Sequence, residues 1–342
     1  MRADKKKMSN AGFLLLVTIV LFAVMYLAGM IIFKDKGFAK PQMFLNLFIS
    51  NAGLIVIGCS LTIVMITGGI DISVGSVTAL VCMVVADLME NKSWSAYAAL
   101  AVALMIGLAF GIVQGYLISY LEIQPFIITL AGMFFGRGMT AIVSTDMIAI
   151  KNPTFLAWAN AKIYMPFGYT NKKGMFIHAY IYPTVVVALT VVVLVAVMLK
   201  YSKFGRSLYA IGGNQQSAVM MGLNVKADKM KAYVLDGFLA GLGGYLFCLN
   251  SCAGFVEQAK GLEMDAIAAA VIGGTLLSGG VWTVIGTLFG VLIKGTIASL
   301  ITTQGTLSSW LVRIVLSALL CFFIVLQAVI AVISRKKIAE RK

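Results

Sequence analysis

Long apolar runs fill this chain from Ala11 to Ile333, and one polar island, Lys200–Lys231, divides them into two halves. A run of about 20 apolar residues matches the hydrocarbon thickness of a bilayer, and here such runs follow one another. Hydrophobic residues make up 61% of the 342 residues and charged residues 12%, about half the charged share of a soluble domain. A soluble core cannot absorb that much apolar surface at this length, so the solvent is lipid. The expected fold is an all-α polytopic membrane protein. A single membrane domain covers 1–342, with an N-terminal half 1–199, the island 200–231 and a C-terminal half 232–342.

The island carries Lys200, Lys203, Arg206, Lys226, Lys229 and Lys231 against one acid, Asp228. A basic loop between spans belongs on the cytoplasmic side. Its stretch Asn214–Met221 is helix-compatible but too short and too polar to cross lipid. It reads as the piece through which a soluble partner grips a membrane protein. The net charge of +14 has the same origin. Arg2, Lys5, Lys6 and Lys7 begin the chain, and Arg335, Lys336, Lys337, Arg341 and Lys342 end it. With an even number of spans in each half, all three basic clusters share the cytoplasmic face, beside membrane lipid. That clustering is not the stripe of a nucleic-acid-binding domain. The five cysteines (Cys59, Cys82, Cys248, Cys252, Cys321) sit in apolar runs without metal spacing, as small packing residues.

The first run, Ala11–Phe33, exceeds the apolar core of a signal peptide, and no small-x-small cleavage site follows it, so it reads as a retained helix. Further spans are expected near 44–66, 77–89, 94–120, 124–144, 178–199, 232–251, 265–277, 282–302 and 309–333, with eight to ten crossings as the range. Between 146 and 177 an aromatic-rich outer loop holds a short half-buried helix near Phe155–Asn160. Gly107, Gly111 and Gly115 fall four apart, and Gly237, Gly241 and Gly244 form another small-residue face. Both suit close helix packing.

Two interruptions stand out. Thr67-Gly68-Gly69-Ile70-Asp71-Ile72-Ser73-Val74-Gly75 breaks an apolar run, and Gly68-Gly69-x-x-x-Ser73-x-Gly75 recurs as Gly273-Gly274-x-x-x-Ser278-x-Gly280. Irregular backbone at membrane depth survives only inside protein or along a wet cavity. Transporters often place paired discontinuous helices near the midplane. The echo is therefore read as a transport path lined by Thr67, Gly68, Gly69, Asp71, Ser73, Gly75, Asp265, Gly273, Gly274 and Ser278.

Asp71 is either a substrate-hydroxyl acceptor or gate, or an N-cap for the helix beginning near Ile72; the order Asp-Ile-Ser favours the cap. Asp265 reads as a cap with more force. Asp236 lies on an otherwise apolar helix, paired inside the bundle or facing water, and Arg137, Lys294 and Arg313 are the available cations. The single histidine, His178, stands near a span end and supports neither a metal site nor a catalytic constellation. There is no GxxxxGK[ST] phosphate loop and no HExxH. The chain is expected to hydrolyse no ATP, to catalyse no covalent step and to bind no cofactor itself. Ser, Thr, Asn and Gln at the apolar breaks suit a neutral, hydroxyl-rich cargo.

Four extended motifs, ITGGIDISVGS (66–76), QPFIITLAGMFFGRG (124–138), FGRSLYAIGGNQQSAVMMGLNV (204–225) and EMDAIAAAVIGGTLLSGG (263–280), resemble the permease subunits of bacterial ABC importers for monosaccharides, the ribose/xylose/galactose group. GGTLLSGGVWTVIGTLFGVL and GTLSSW are most like the galactofuranose-importer permeases. The resemblance implies a vitamin-B12-importer-like permease in the bacterial inner membrane with cytoplasmic termini. It also implies a second permease chain, identical or related, two ATPase subunits holding ATP and magnesium, and an extracytoplasmic sugar-binding protein. The family's coupling segment falls on Gly205, Arg206, Gly212, Gly213, Asn214, Gln215, Gln216, Ala218 and Gly222. Where the family commonly has an AARLSG-like run, this chain has Ser217-Ala218-Val219-Met220-Met221-Gly222, and Asp236 stands where a serine is usual. Ala210, Ile211, Ala218, Val219 and Met221 are the expected docking face, and Gly213 is the expected point of sensitivity to a bulky residue. The bland alternative is a solvated loop hugging anionic lipid. The rival function is an ion-coupled secondary transporter or channel for small polyols; a third reading, a non-transporting scaffold or receptor, leaves the paired breaks without a purpose.

Overall fold

The computed structural model describes residues 10–170, 174–280, 283–306, 308 and 310–339. Arg2, Lys5, Lys6, Lys7, Arg341, Lys342 and Trp282 lie outside that set. The elements run α1 (Asn10–Ile32), α2 (Pro41–Ile66), α3 (Val74–Glu90), α4 (Ala96–Ser119), α5 (Pro125–Val143), β1 (Ile148–Ala149), α6 (Pro153–Asn160), β2 (Ile163–Thr170), β3 (Phe176–Ile181), α7 (Pro183–Tyr201), α8 (Lys203–Gly213), α9 (Gln215–Met220), α10 (Val225–Ser251), β4 (Ala253–Gly254), α11 (Leu262–Ile272), α12 (Val284–Gln304) and α13 (Trp310–Ala339). Among the described residues eight helices (α1, α2, α4, α5, α7, α10, α12, α13) are long and apolar enough to cross a bilayer. The shorter α3 and α11 each adjoin one of the two interruptions.

Short connections make successive helices alternate in direction. Glu122 pairs with Lys226 at 2.9 Å, which puts the end of α4 and the start of α10 on the island side. At the opposite end Glu90 accepts from the backbone amides of Lys151 and Asn152 at 2.7 and 2.9 Å. There Lys36 donates to the carbonyls of Thr303 and Gln304 at 2.9 Å each. By this alternation α1 begins, and α13 ends, on the island side.

The second face carries the irregular segment between α5 and α7. Its short helix α6 is present, with Asn152 capping it by accepting from Thr154 and Phe155 and with Phe155 buried. The segment also pairs β2 with β3 antiparallel, and β1 pairs with β4. The expected span near 178–199 is therefore corrected: 176–181 is a strand, and the helix starts at Pro183. Pro183 suits a first helical position, where its missing N–H costs nothing.

The core is the four-helix contact of α2, α3, α4 and α10. The two glycine faces are each other's partners: Gly107 lies against the Gly237 carbonyl and Gly241, and Gly111 against Tyr233 and Gly237. With no Cβ on either side the backbones of α4 and α10 approach closely, the usual way membrane helices gain packing. Gly244 leaves that seam and seats against Thr78 and Val81 of α3.

Candidate functional site

The island folds into two helices. α8 was not expected; Phe204, Leu208 and Ile211, at i, i+4 and i+7, are the signal for it. Ser202 caps it, accepting from the Gly205 amide at 2.9 Å. Asn214 then caps α9, accepting from the Ser217 amide at 2.9 Å. Gly222, at φ +78°, ends α9 in the left-handed conformation that glycine tolerates. Asn224 starts α10 by accepting from Ala227 at 3.1 Å. Each cap contributes about 1 kcal/mol, so three polar residues fix the turns of a short segment.

Side chains tie the island to the bundle. Ser207 donates to Asp228, Lys231 pairs with Asp228 at 3.4 Å, and Lys229 donates to Gln215 at 2.7 Å. Arg206 donates to the Tyr201 carbonyl at 3.1 Å. Lys226 beside Glu122 holds that carboxyl below its usual range. Gly205 rests on the backbone of Leu199, so its lack of a Cβ lets α8 fold back on α7.

The expected docking face needs correction. Ile211, Ala218 and Val225 are buried together, with Ala210 and Leu223 packed on them, inside the island. The apolar residues left outward are Val219, Met220 and Met221, at 57%, 88% and 66% exposure. Gln215 and Gln216 lie exposed beside them. Gly213 is the expected point of sensitivity to a bulky residue. A side chain there meets open space, whereas at Gly212 it meets the Ile66 carbonyl and the Gly280 amide.

That contact is the centre of the site. The end of α2 and the segment after α11 are the two interruptions, and they touch: the Gly280 amide donates to the Ile66 carbonyl at 2.9 Å. Gly68, Gly274, Gly279 and Gly280 all have positive φ. Thr67, Gly68, Gly279 and Gly280 of the two breaks therefore stand together, with Gly212 of α8 wedged on them. The breaks thus meet at the island end of the bundle rather than halfway along it.

The second break finds partners for carbonyls that the short α11 frees. Gln327 of α13 donates to Val271 at 3.0 Å, Thr18 of α1 donates to Ile272 at 2.6 Å, and Thr283 donates to Gly273 at 2.9 Å. In the first break the Asp71 carboxylate accepts from the Ser73 amide at 2.6 Å. Asp71 thus serves the helix start as expected, although the cap position itself is Ser73 and α3 begins at Val74. Gln114 of α4 donates to the Ser73 hydroxyl at 2.9 Å. Gly75 gives room to Glu263 at the start of α11.

Asp236 is fully buried and makes no ion pair among the described residues. Neither of its oxygens has a geometric hydrogen bond, while Asp71 and Ser60 face it. Asp265 is the one expected path residue that lies elsewhere. It sits within the first turn of α11 rather than at the cap, which is Gly261, and pairs with Lys294 of α12 at 3.2 Å. Among the described residues Arg137 pairs with no acid; it donates to the carbonyls of Gln258 at 2.6 Å and Ala259 at 3.1 Å and so holds the segment leading into α11.

A many-helix membrane bundle with two touching breaks and a capped polar knuckle has the architecture of a membrane permease. Residues 43–324 match the family described as the branched-chain amino acid transport system permease component, and the chain belongs to that family. It is 40% identical over 314 residues to the inner membrane ABC transporter permease protein YjfF of Escherichia coli K12, covering 92% of this chain and 91% of that one. It is 33% identical to the fructose import permease FruG of Bifidobacterium longum, over 98% of each chain. The ribose import permease RbsC of E. coli K12 is 33% identical over 80% of this chain and 82% of its own. No solved structure matches the chain.

Proposed function

We propose that this chain is the transmembrane permease subunit of an ATP-driven importer for a neutral monosaccharide, galactofuranose-like or another pentose or hexose. ATP and magnesium belong to a separate ATPase subunit, and this chain binds no cofactor. The observation that carries the reading is Gly212: α8, which leads directly into the outward α9, is seated on both membrane breaks at once. A partner that pushes on α9 therefore has a short mechanical route to Thr67, Gly68, Gly279 and Gly280. The relatives named for fructose and ribose import support the sugar assignment.

The protein lies in the bacterial inner membrane with the island and both termini cytoplasmic, as the basic clusters favour. Its partners are the ATPase subunits, a second permease chain, identical or related, and an extracytoplasmic sugar-binding protein. The ion-coupled alternative draws on one observation, the facing carboxyls of Asp71 and Asp236. Uptake in liposomes separates the two. Sugar accumulation is expected only with the ATPase subunit and ATP present. Accumulation that persists without the ATPase and collapses with a proton or sodium ionophore would support the alternative.

A further inference from the structure

Away from the breaks, at the face opposite the island, α2 and α12 part to leave an open cleft of about 390 Å³. That volume lies within the range of small-molecule sites, about 300–1,000 Å³. α2 lines it with Asn46, Ser50 and Asn51, and α12 with Lys294, Ser299 and Thr302. The spacing explains how two largely apolar helices present so polar a gap. Asn46 and Ser50 are four apart on α2, and Lys294 and Thr302 lie eight apart on α12, on the same side of the helix. Each helix therefore turns one polar stripe inward.

Lys294 is halfway along α12, and a cation at such depth needs a partner or water. It has Asp265 at 3.2 Å. The same lysine borders a second cavity of about 550 Å³, lined also by Glu257, Asp265, Trp310 and Arg313. Lys294 thus stands between the two spaces, and Asp265 holds it from the second.

The chemistry of the first cleft is selective. Its side walls offer neutral hydroxyl and amide groups beside the apolar Met43, Leu47 and Ala298. A zwitterionic amino acid requires two opposite charges free to receive its ends and an apolar wall for its side chain. Here the one charge in the lining, Lys294, is already bonded to Asp265, and no lining carboxylate is at hand among the described residues. A ligand with many hydroxyls and no net charge fits the walls as they stand.

We propose that the cleft between α2 and α12 receives the monosaccharide on its way into the permease, with Lys294, held from behind by Asp265, as its one charged lining group. The assignment rests on the importer reading above and adds the place where the cargo is held. It also requires that the cleft open to the extracytoplasmic side.

The test uses the full importer in intact cells and Ser50→Cys, labelled from outside with a membrane-impermeant maleimide and compared with the parent chain for background. The probes are D-galactose, D-ribose and D-fructose, with L-leucine as the contrast. Labelling at position 50 is expected, and at least one of the sugars is expected to slow it about threefold or more while leucine leaves it unchanged. Asn46→Leu with Ser50→Val is expected to cut uptake about tenfold while ATP hydrolysis by the complex persists. No labelling from outside, or labelling that no transported sugar slows, overturns the cleft assignment. If such a result accompanies normal ATP-driven sugar uptake, the importer reading survives and only the cleft falls. Uptake of leucine and of none of the sugars removes both.

Discussion

Gly212 and Gly213 are neighbours of one residue type with opposite surroundings. At Gly212 any side chain meets backbone of both breaks, while Gly213 faces open space. Gly212→Val is expected to uncouple ATP hydrolysis from uptake, since overpacking of about 1–3 kcal/mol falls on the joint itself. Gly213→Val is expected to transport normally. Parallel assays of ATPase activity and uptake check the pair, and the reverse order of effects contradicts the joint. The sequence marked the Gly-Gly pair but not which member packs on the breaks, because that depends on the register of a helix not recognised from its sequence. Asp265 was misread for a related reason: an acid near a helix start looks like a cap until the facing helix supplies Lys294. Asp236 carries a separate expectation. A buried acid facing another acid without a cation is a cost to the fold, so Asp236→Asn is expected to raise the thermal midpoint of the purified chain. A fall in that midpoint contradicts the account of the site.

Among the elements, the glycine faces of α4 and α10 were the most legible, because such spacing maps directly onto one helical face, whereas their packing on each other was not. Gly237→Val is expected to force those backbones apart, since its side chain meets the Gly107 carbonyl and Gly111. Destabilisation of about 1–3 kcal/mol or more is expected, read as lost folded protein in detergent; a neutral outcome contradicts the seam. The island shows the limit of such reading. Its α9 was visible as a run bounded by Asn214 and Gly222, whereas α8 was hidden by the glycines at its end. The strand pair β2–β3 was missed because its aromatic residues also suit an interfacial loop. Helix α11 was placed too late and too long, since apolar character continues past Ile272 although the helix stops there.

For the molecule as a whole, three features combine: helices that cross lipid, two interruptions that meet, and a polar knuckle pressed on the meeting point. The membrane class followed from composition, and both interruptions were visible as a repeated Gly-Gly-x-x-x-Ser pattern. Their mutual hydrogen bond was not, because it joins Ile66 to Gly280 across the fold. Exposed Val219, Met220 and Met221 give the knuckle an apolar tip, the kind of helix face that docks in a groove. The most direct measurement is thiol labelling of Met220→Cys in inside-out membrane vesicles, with and without the ATPase subunit. Rapid labelling of the permease alone, and strong shielding once the ATPase is bound, is the expected result. A cysteine equally reactive in both states, or reached only from the outer side of intact cells, contradicts the claim that an ATPase drives this permease through its island.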